Sequence, residues 1–175
     1  MRLGITIIFI IFSLDQLSKL WILQQFVYSK GLNILPYAYY YDVIELLPFL
    51  NIRLVWNTGI SFSLFSSGGA FTMYVILIIQ IMIVILILIW MKKSNNVLQF
   101  ILFGFIIGGA LGNIYDRFIY GAVIDFIDLF YSHYHFPTFN LADMAISIGC
   151  LIWFYDTLFF KKNNPENNER KKDAI

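Results

Sequence analysis

The stretch at residues 136–148, FPTFNLADMAISI, places an acid, Asp143, just inside an apolar segment that continues to Phe160. Asn140 precedes this acid by three residues, a spacing that puts both side chains close to one face of a helix. An ionisable side chain at membrane depth costs roughly 2.5–3.5 kcal/mol on insertion scales, and such residues pair with other polar groups. The stretch therefore indicates a membrane helix whose acid has a partner elsewhere in the chain.

The composition requires apolar surroundings for most of the chain. Of the 175 residues, 59% are hydrophobic and 13% are charged, and a soluble domain of this size cannot bury so much apolar surface. The net charge of +1 comes without a basic stripe, which argues against a nucleic-acid-binding protein. One cysteine allows no intramolecular disulfide, and His133 and His135 alone do not make a metal site. We expect an integral membrane protein without a metal.

Four long apolar segments predict four transmembrane helices. They cover residues 3–26, 69–91, 97–115 and 139–160. In the third segment Gly104, Gly108 and Gly112 recur every fourth residue, which predicts a seam where a neighbouring helix approaches closely. In the first segment Asp15 and Lys19 have the spacing of an ion pair within one helix.

Residues 28–66 differ from the spans because they contain prolines, many tyrosines and alternating β-branched or aromatic residues. This composition predicts a small sheet on the membrane surface, with strands at residues 50–55 and 60–64 around a turn at 57–59. The predicted fold is an all-α integral membrane protein with four transmembrane helices and a small extracytoplasmic β-sheet insertion. We expect one membrane domain over residues 1–160 and a polar cytoplasmic tail over 161–175.

The basic residues predict the orientation of the chain. If four spans alternate, the basic residues at positions 2, 92–93, 161–162 and 170–172 fall on one side. Fewer basic residues, Lys30 and Arg53 among them, fall on the other side. Both termini are therefore expected in the cytoplasm. The insertion and the segment 116–138, which we interpret as a loop, then lie outside, on the same face as Asp143.

Several acids could partner Asp143 at that face. Asp156 is excluded because it lies further along the same helix, roughly 20 Å away at about 1.5 Å per residue. Asp116 adjoins Arg117 and is expected to build a structural network. Asp125 and Asp128 remain, and we favour Asp125 because its flanking apolar residues, VI and FI, carry it to the membrane surface.

Two carboxylates in a desolvated pocket cannot both ionise cheaply, so one keeps a proton while the other stays charged. Such a pair can take a proton from water and give one to a leaving amine, as peptide hydrolysis requires.

Other classes of protein also contain acids at membrane depth. The alternative to a catalytic pair is a buried-acid network whose carboxylates are satisfied by Arg and Asn side chains. A transporter or proton relay would spread its acids through the membrane or show repeats, and a non-catalytic assembly protein would tolerate Asp125→Asn.

The chain resembles the lipoprotein signal peptidases (signal peptidase II) of bacteria in five stretches that follow one another in family order. The stretches are DQLSK at 15–19, NTG at 57–59, GGALGNIYDR at 108–117, VIDF at 123–126 and FNLAD at 139–143. The resemblance implies an aspartic endopeptidase of the bacterial cytoplasmic (inner) membrane. Enzymes of this family remove the signal peptide from diacylglyceryl-modified prolipoproteins, cutting just before the lipid-modified cysteine.

The resemblance also implies roles for individual residues. It implies a catalytic pair at Asp125 and Asp143, and no metal or organic cofactor. The positions that it assigns to the polar surround of the site are Asp15, Lys19, Asn57, Asn113, Asp116, Arg117 and Asn140. We expect the site at the outer leaflet, prolipoprotein and membrane lipid as partners, no nucleic acid, and a monomer.

Overall fold

A computed structural model describes residues 1–32, 42–59 and 69–159. Within these ranges the chain forms four long helices, each long and apolar enough to cross a membrane. They are α1 (Arg2–Phe26), α2 (Gly69–Lys93), α3 (Val97–Tyr120) and α4 (Leu141–Phe159). At about 1.5 Å per residue, α1, α2 and α3 exceed the roughly 30 Å thickness of a bilayer core. The prediction of four membrane-spanning segments agrees with these helices.

Helix α3 packs against each of the other three helices and is the most buried of the four. Its glycines permit this packing. A Cβ atom at Gly104 would lie 2.8 Å from Ile7 Cγ2, and one at Gly108 would lie 2.8 Å from Ile11 Cβ. A Cβ atom at Gly112 would meet the carboxylate of Asp15. The predicted glycine seam is therefore confirmed, and the helix that it admits is α1.

A four-stranded antiparallel sheet has the order β1-β2-β3-β4. Its strands are β1 (Ile44–Leu47), β2 (Leu50–Asn57), β3 (Val123–Tyr131) and β4 (Tyr134–His135). Strand β2 confirms the strand predicted at residues 50–55. The predicted strand at 60–64 and the tail at 161–175 lie outside the described residues.

The interpretation of residues 116–138 as a loop is wrong. Helix α3 continues to Tyr120 and ends at Gly121, which adopts a left-handed conformation (φ 74°). The next residues, VIDFIDLFY, are β-branched and aromatic, a composition that favours a strand. They pair with β2 across the sheet. The all-α classification thus describes only the helical part of the fold, because the sheet joins two separate segments of the chain.

The sheet covers the end of the bundle where α1 and α3 finish and α4 begins. Ile22, Leu23 and Phe26 of α1 form a buried cluster with Leu54 of β2 and Ile124 of β3, among others. Burying each such side chain contributes roughly 1.5–3 kcal/mol. Because strand side chains alternate between faces, Asp125 points to the face opposite Ile124. The fold therefore brings Asp125 to the start of α4.

Candidate active site

Asn140 and Asp143 form a reciprocal cap at the start of α4. The backbone N–H of Asp143 donates to Asn140 Oδ1 over 2.9 Å, and the backbone N–H of Asn140 donates to Asp143 Oδ2 over 3.3 Å. The Asn140 carbonyl accepts the N–H of Met144, as expected of a residue that caps a helix. This geometry fixes the Asp143 carboxylate at the helix N-terminus, where the helix dipole favours a negative charge.

Asp125 lies on β3 and is 1% exposed. In the sheet register Asp125 is opposite Val55, and Asn57 is opposite Val123, so Asp125 and Asn57 are diagonal neighbours on one face. Asn57 Nδ2 donates to Asp125 Oδ2 over 2.9 Å, and Asn140 Nδ2 donates to Asp125 Oδ1 over 2.6 Å. Asn140 therefore contacts both candidate catalytic carboxylates.

Asn113 of α3 is the second amide that reaches the pair. Its Nδ2 donates to Asp143 Oδ1 over 2.8 Å, while its Oδ1 accepts from Lys19 Nζ and from Asn140 Nδ2, each over 3.2 Å. A lysine ammonium can only donate, so Lys19 requires the Asn113 oxygen to face it. This contact turns the Asn113 nitrogen towards Asp143.

Lys19 is buried between two acids. Its Nζ lies 2.7 Å from Asp15 Oδ2 and 2.8 Å from Asp116 Oδ2, which confirms the predicted Asp15–Lys19 pair. Asp15 Oδ1 accepts the N–H of Ala142 over 2.9 Å, and Asp116 Oδ2 accepts the N–H of Ile124 over 3.1 Å. The two acids thereby tie α1 and α3 to the start of α4 and to β3.

Two site residues were missed by the sequence analysis. Gln16 Nε2 lies 3.1 Å from both Asp15 Oδ2 and Asp116 Oδ1. Gln80 of α2 accepts a hydrogen bond from Arg117 Nη1 over 3.2 Å. Each glutamine is a strongly polar side chain in an apolar helix, which was the available signal, since such a group requires a partner in lipid. Its partner, however, is distant in sequence.

Asp128, the other candidate partner of Asp143, lies in a different cluster. It is 1% exposed, its Oδ1 lies 2.9 Å from His135 Nδ1, and its Oδ2 lies 3.4 Å from Arg53 Nε. The predicted polar residues, in contrast, are all joined through hydrogen bonds or ion pairs into one network at the junction of α1, α3, α4 and the sheet. Within the described ranges no group of three or more His, Cys, Asp or Glu side chains is arranged to hold a metal ion.

The environment of Asp125 favours its protonated form. Burial, followed by the nearby charge of Asp143, raises the pKa of Asp125 from 3.8 to about 7. The hydrogen bonds from Asn57 and Asn140 act in the opposite direction but are smaller effects. A carboxyl with this pKa can both hold and release a proton near neutral pH.

An apolar groove of about 480 Å³ opens beside Asp143. Asp143 is half-buried, unlike Asp125, and is one of the residues that line this groove. The other lining residues are Phe136, Pro137, Thr138, Phe139, Met144, Ser147 and Ile148. The arrangement can therefore present a buried acid and a more accessible carboxylate to an apolar ligand.

The sequence matches a family model described as signal peptidase (SPase) II from residue 7 to residue 159. The chain belongs to the signal peptidase II family. It is accordingly an aspartic peptidase that removes signal peptides from prolipoproteins, as the resemblance implied. The family assignment and the four apolar helices identify a bacterial membrane protein.

Individual relatives support the same membership in signal peptidase II. A lipoprotein signal peptidase of Pelagibacter ubique (strain HTCC1062) is 39% identical over 168 residues, 96% of this chain and 93% of that protein. One of Shewanella baltica (strain OS195) is 36% identical over 165 residues, 93% and 90% of the two chains. A solved bacterial membrane enzyme is 29% identical, with a TM-score of 0.69 over 90% of this chain and 93% of that chain.

Proposed function

We propose that Asp125 and Asp143 are the catalytic pair with which this signal peptidase II hydrolyses the peptide bond of a prolipoprotein. The observation that carries the proposal is the position of Asn140, which contacts both carboxylates while capping the helix that bears one of them. Three amide side chains surround the pair, and they orient both acids without neutralising them. A network with a purely structural role would not require an accessible groove beside Asp143.

The two acids have different roles in this proposal. Asp125 is buried and holds a proton at pH values below about 7. Asp143, at the groove and at the start of α4, is the charged partner. A water between them gives a proton to Asp143 while its oxygen attacks the scissile carbonyl, and the Asp125 proton passes to the carbonyl oxygen. As the tetrahedral gem-diol collapses, the C–N bond breaks and the proton on Asp143 passes to the leaving amine. One hydroxyl of the gem-diol returns a proton to Asp125 as the new carboxyl group forms, which restores the pair.

The substrate approaches through the apolar groove beside Asp143. Phe136, Phe139, Met144 and Ile148 line it, and these side chains suit the signal peptide or the acyl chains of a diacylglyceryl-modified cysteine. Cleavage then falls just before that cysteine. Anchoring by lipid positions the substrate, so few specific contacts to peptide side chains are needed.

We place the site at the outer leaflet with both termini in the cytoplasm. Lys92 and Lys93 lie at the end of the bundle away from the sheet, together with the beginning of α1, since Gly4 approaches Met91. The excess of lysine and arginine on cytoplasmic loops therefore favours that end as cytoplasmic. The sheet and the two aspartates then lie on the extracytoplasmic side of the inner membrane.

The test is cleavage of a diacylglyceryl-modified prolipoprotein by full-length Asp125→Asn and Asp143→Asn variants in lipid. Asp128→Asn is the matched control, because Asp128 is equally buried and lies on the same strand as Asp125. We expect the Asp125→Asn and Asp143→Asn variants each to lose at least about 1,000-fold in kcat/KM, and the control to keep most of its activity. Full processing by either dyad variant would remove the proposed mechanism.

A further inference from the structure

We propose that Gln80 is a positioning residue for the reaction, because it holds the Arg117 guanidinium beside the Asp125–Asp143 pair and keeps it from binding either carboxylate. Gln80 is on α2, a helix that contributes none of the predicted site residues. The inference rests on the proposed roles of the two aspartates. It assigns to α2 an influence on the charge of the catalytic pair that is exerted through Arg117.

Arg117 is held by hydrogen bonds at one end of its guanidinium group. Its Nη1 donates to Gln80 Oε1 over 3.2 Å and to the Asn113 carbonyl over 3.4 Å. Arginine can only donate, so the Gln80 amide must present its oxygen to it. Arg117 Nε is buried and has no hydrogen-bond partner among the described residues. The side chain is therefore held at one end, with hydrogen-bonding capacity left over.

Arg117 lies near three acids but forms no ion pair with any of them in the described structure. Its charge interacts with Asp125 on β3, Asp143 on α4 and Asp116 on α3, but no hydrogen bond or ion pair joins it to any of them in the described structure. Asp116 is paired with Lys19, which also acts on Asp125. The carboxylate oxygens of Asp125 and Asp143 accept hydrogen bonds from three asparagine side chains, those of Asn57, Asn113 and Asn140. Arg117 is therefore a nearby cation that stays unpaired.

The absence of a direct ion pair between Arg117 and the two aspartates matters for the chemistry. A direct ion pair with Arg117 would favour the charged form of either aspartate. Both acids would then be ionised, and the proton that the pair needs would be lost. Gln80 provides a neutral acceptor that binds the guanidinium without compensating its charge. A glutamine in the most apolar of the four helices would otherwise be costly, and this contact satisfies its oxygen.

The same face of α2 also approaches the turn that follows β2. Ile76 lies one turn before Gln80, and a Cβ atom at Gly59 would lie 2.5 Å from Ile76 Cδ1 and 4.0 Å from Arg117 Nη2. Gly59 follows Asn57, a hydrogen-bond donor to Asp125, and its N–H donates to Asn57 Oδ1 over 2.8 Å. Helix α2 thus contacts both Arg117 and the turn that holds Asn57.

The test is the pH dependence of kcat/KM for two variants that should shift it in opposite directions. Gln80→Leu frees Arg117 to bind the acids, so the loss of activity at high pH should begin roughly one pH unit lower. Gln80→Glu compensates the Arg117 charge, so the same loss should begin at higher pH. Gln99→Leu is the matched control, because Gln99 accepts a hydrogen bond from Ser94 at the opposite end of the α2–α3 pair. It should not shift the pH profile.

Opposite shifts cannot come from a general loss of packing, which would lower activity at every pH. Unchanged profiles in both variants, or shifts in the same direction, would overturn the role of Gln80. The Asp143→Asn variant, assayed in parallel, separates the two hypotheses. If Asp143→Asn is inactive and the Gln80 variants show no shift, the role of Gln80 alone is wrong. If Asp143→Asn is fully active, the catalytic pair itself is wrong.

Discussion

Asn140 donates its side-chain amide to Asp125 Oδ1 over 2.6 Å, which joins the strand that carries one candidate catalytic acid to the helix that carries the other. The same side chain accepts the backbone N–H of Asp143 through its oxygen. One residue therefore caps α4 and sets the relation between the two acids. Its two roles can be separated by substitution.

Asn140→Ser should keep the cap and lose the contact to Asp125, because a serine hydroxyl accepts the Asp143 N–H but is too short to reach across. Asn140→Ala should lose both. We expect both variants to lose activity to a similar extent, by about 100-fold. Only Asn140→Ala should also lose the cap, at about 1 kcal/mol of stability. Paired measurements of kcat/KM and thermal unfolding check this, and normal activity in Asn140→Ser would contradict it.

The raised pKa of Asp125, about 7, predicts the alkaline limit of the reaction. As pH rises through about 7, Asp125 loses the proton that it must supply, so kcat/KM should fall about tenfold per pH unit above that value. The measurement is cleavage of a diacylglyceryl peptide without titratable side chains by the full-length protein in lipid. A rate that stays constant from about pH 6 to about pH 9 would be incompatible with a protonated Asp125.

The same pKa predicts how stability depends on pH. Folded Asp125 binds a proton more tightly than the unfolded chain, whose carboxyl has an ordinary pKa near 3.8. This contribution is fully present below about 4 and is lost as pH rises through about 7. Asp125→Asn does not titrate, so its melting temperature relative to the parent protein should rise between about pH 5 and about pH 8.

Asp42→Asn is the control for that measurement, because Asp42 is 58% exposed. Its melting temperature relative to the parent should not follow the same course. If the difference between Asp125→Asn and the parent is constant over this pH range, burial does not raise the pKa of Asp125.

Lys19 should be essential for folding. It is 1% exposed and is paired with two acids that are 0% exposed. Removing one partner of a buried ion pair costs about 3–5 kcal/mol, because the remaining charges have no compensation. Lys19→Met should therefore fail to accumulate as a folded protein, or should melt at a much lower temperature than the parent.

Lys30→Met is the matched control for Lys19→Met. Lys30 pairs with Asp42, but both side chains are substantially exposed, at 39% and 58%. Exposed pairs contribute about 0–1 kcal/mol, so Lys30→Met should melt close to the parent protein. Equal melting temperatures for the two methionine variants would show that the buried cluster does not stabilise the fold.

Filling the groove beside Asp143 should impair substrate binding. Ser147 lines the groove, and Ser147→Phe would occupy much of its volume. We expect kcat/KM to fall about tenfold, mainly through KM, since the chemistry of the pair is untouched. Ile152→Phe places the same aromatic ring elsewhere on α4, outside the groove, and should retain normal kinetics. Equal kinetics for both variants would mean that substrate does not use the groove.

The helices could be predicted from sequence because the bilayer makes length and hydropathy decisive. The polar residues were also recognisable, since each is conspicuous in so apolar a chain. Strand β3 was missed because residues 123–126 are buried on both faces, which hides the polar–apolar alternation of a surface strand. The Asn-x-x-Asp pattern at residues 140–143, where the apolar run begins, resembles a capping box and could have predicted the Asn140–Asp143 cap.

The contacts of the glutamines could not be predicted in the same way. Gln16 meets Asp116, and Gln80 meets Arg117, across different helices. Their partners depend on how the helices rotate and approach, which here follows from glycines in α3 that contact α1 and α4. A sequence pattern predicts which residues share one face of a helix. Which faces of two helices contact each other is decided only when the bundle folds.

The measurement that tests the central claim most directly is kcat/KM of Asp125→Asn, Asp143→Asn and the double variant, in the same lipid and with the same diacylglyceryl prolipoprotein. Residues that act as one catalytic unit lose their effect together when either is removed. We therefore predict that the double variant is no slower than the slower single variant. If the two losses multiply in the double variant, or if either single variant cleaves at the parent rate, the two aspartates do not work as a pair.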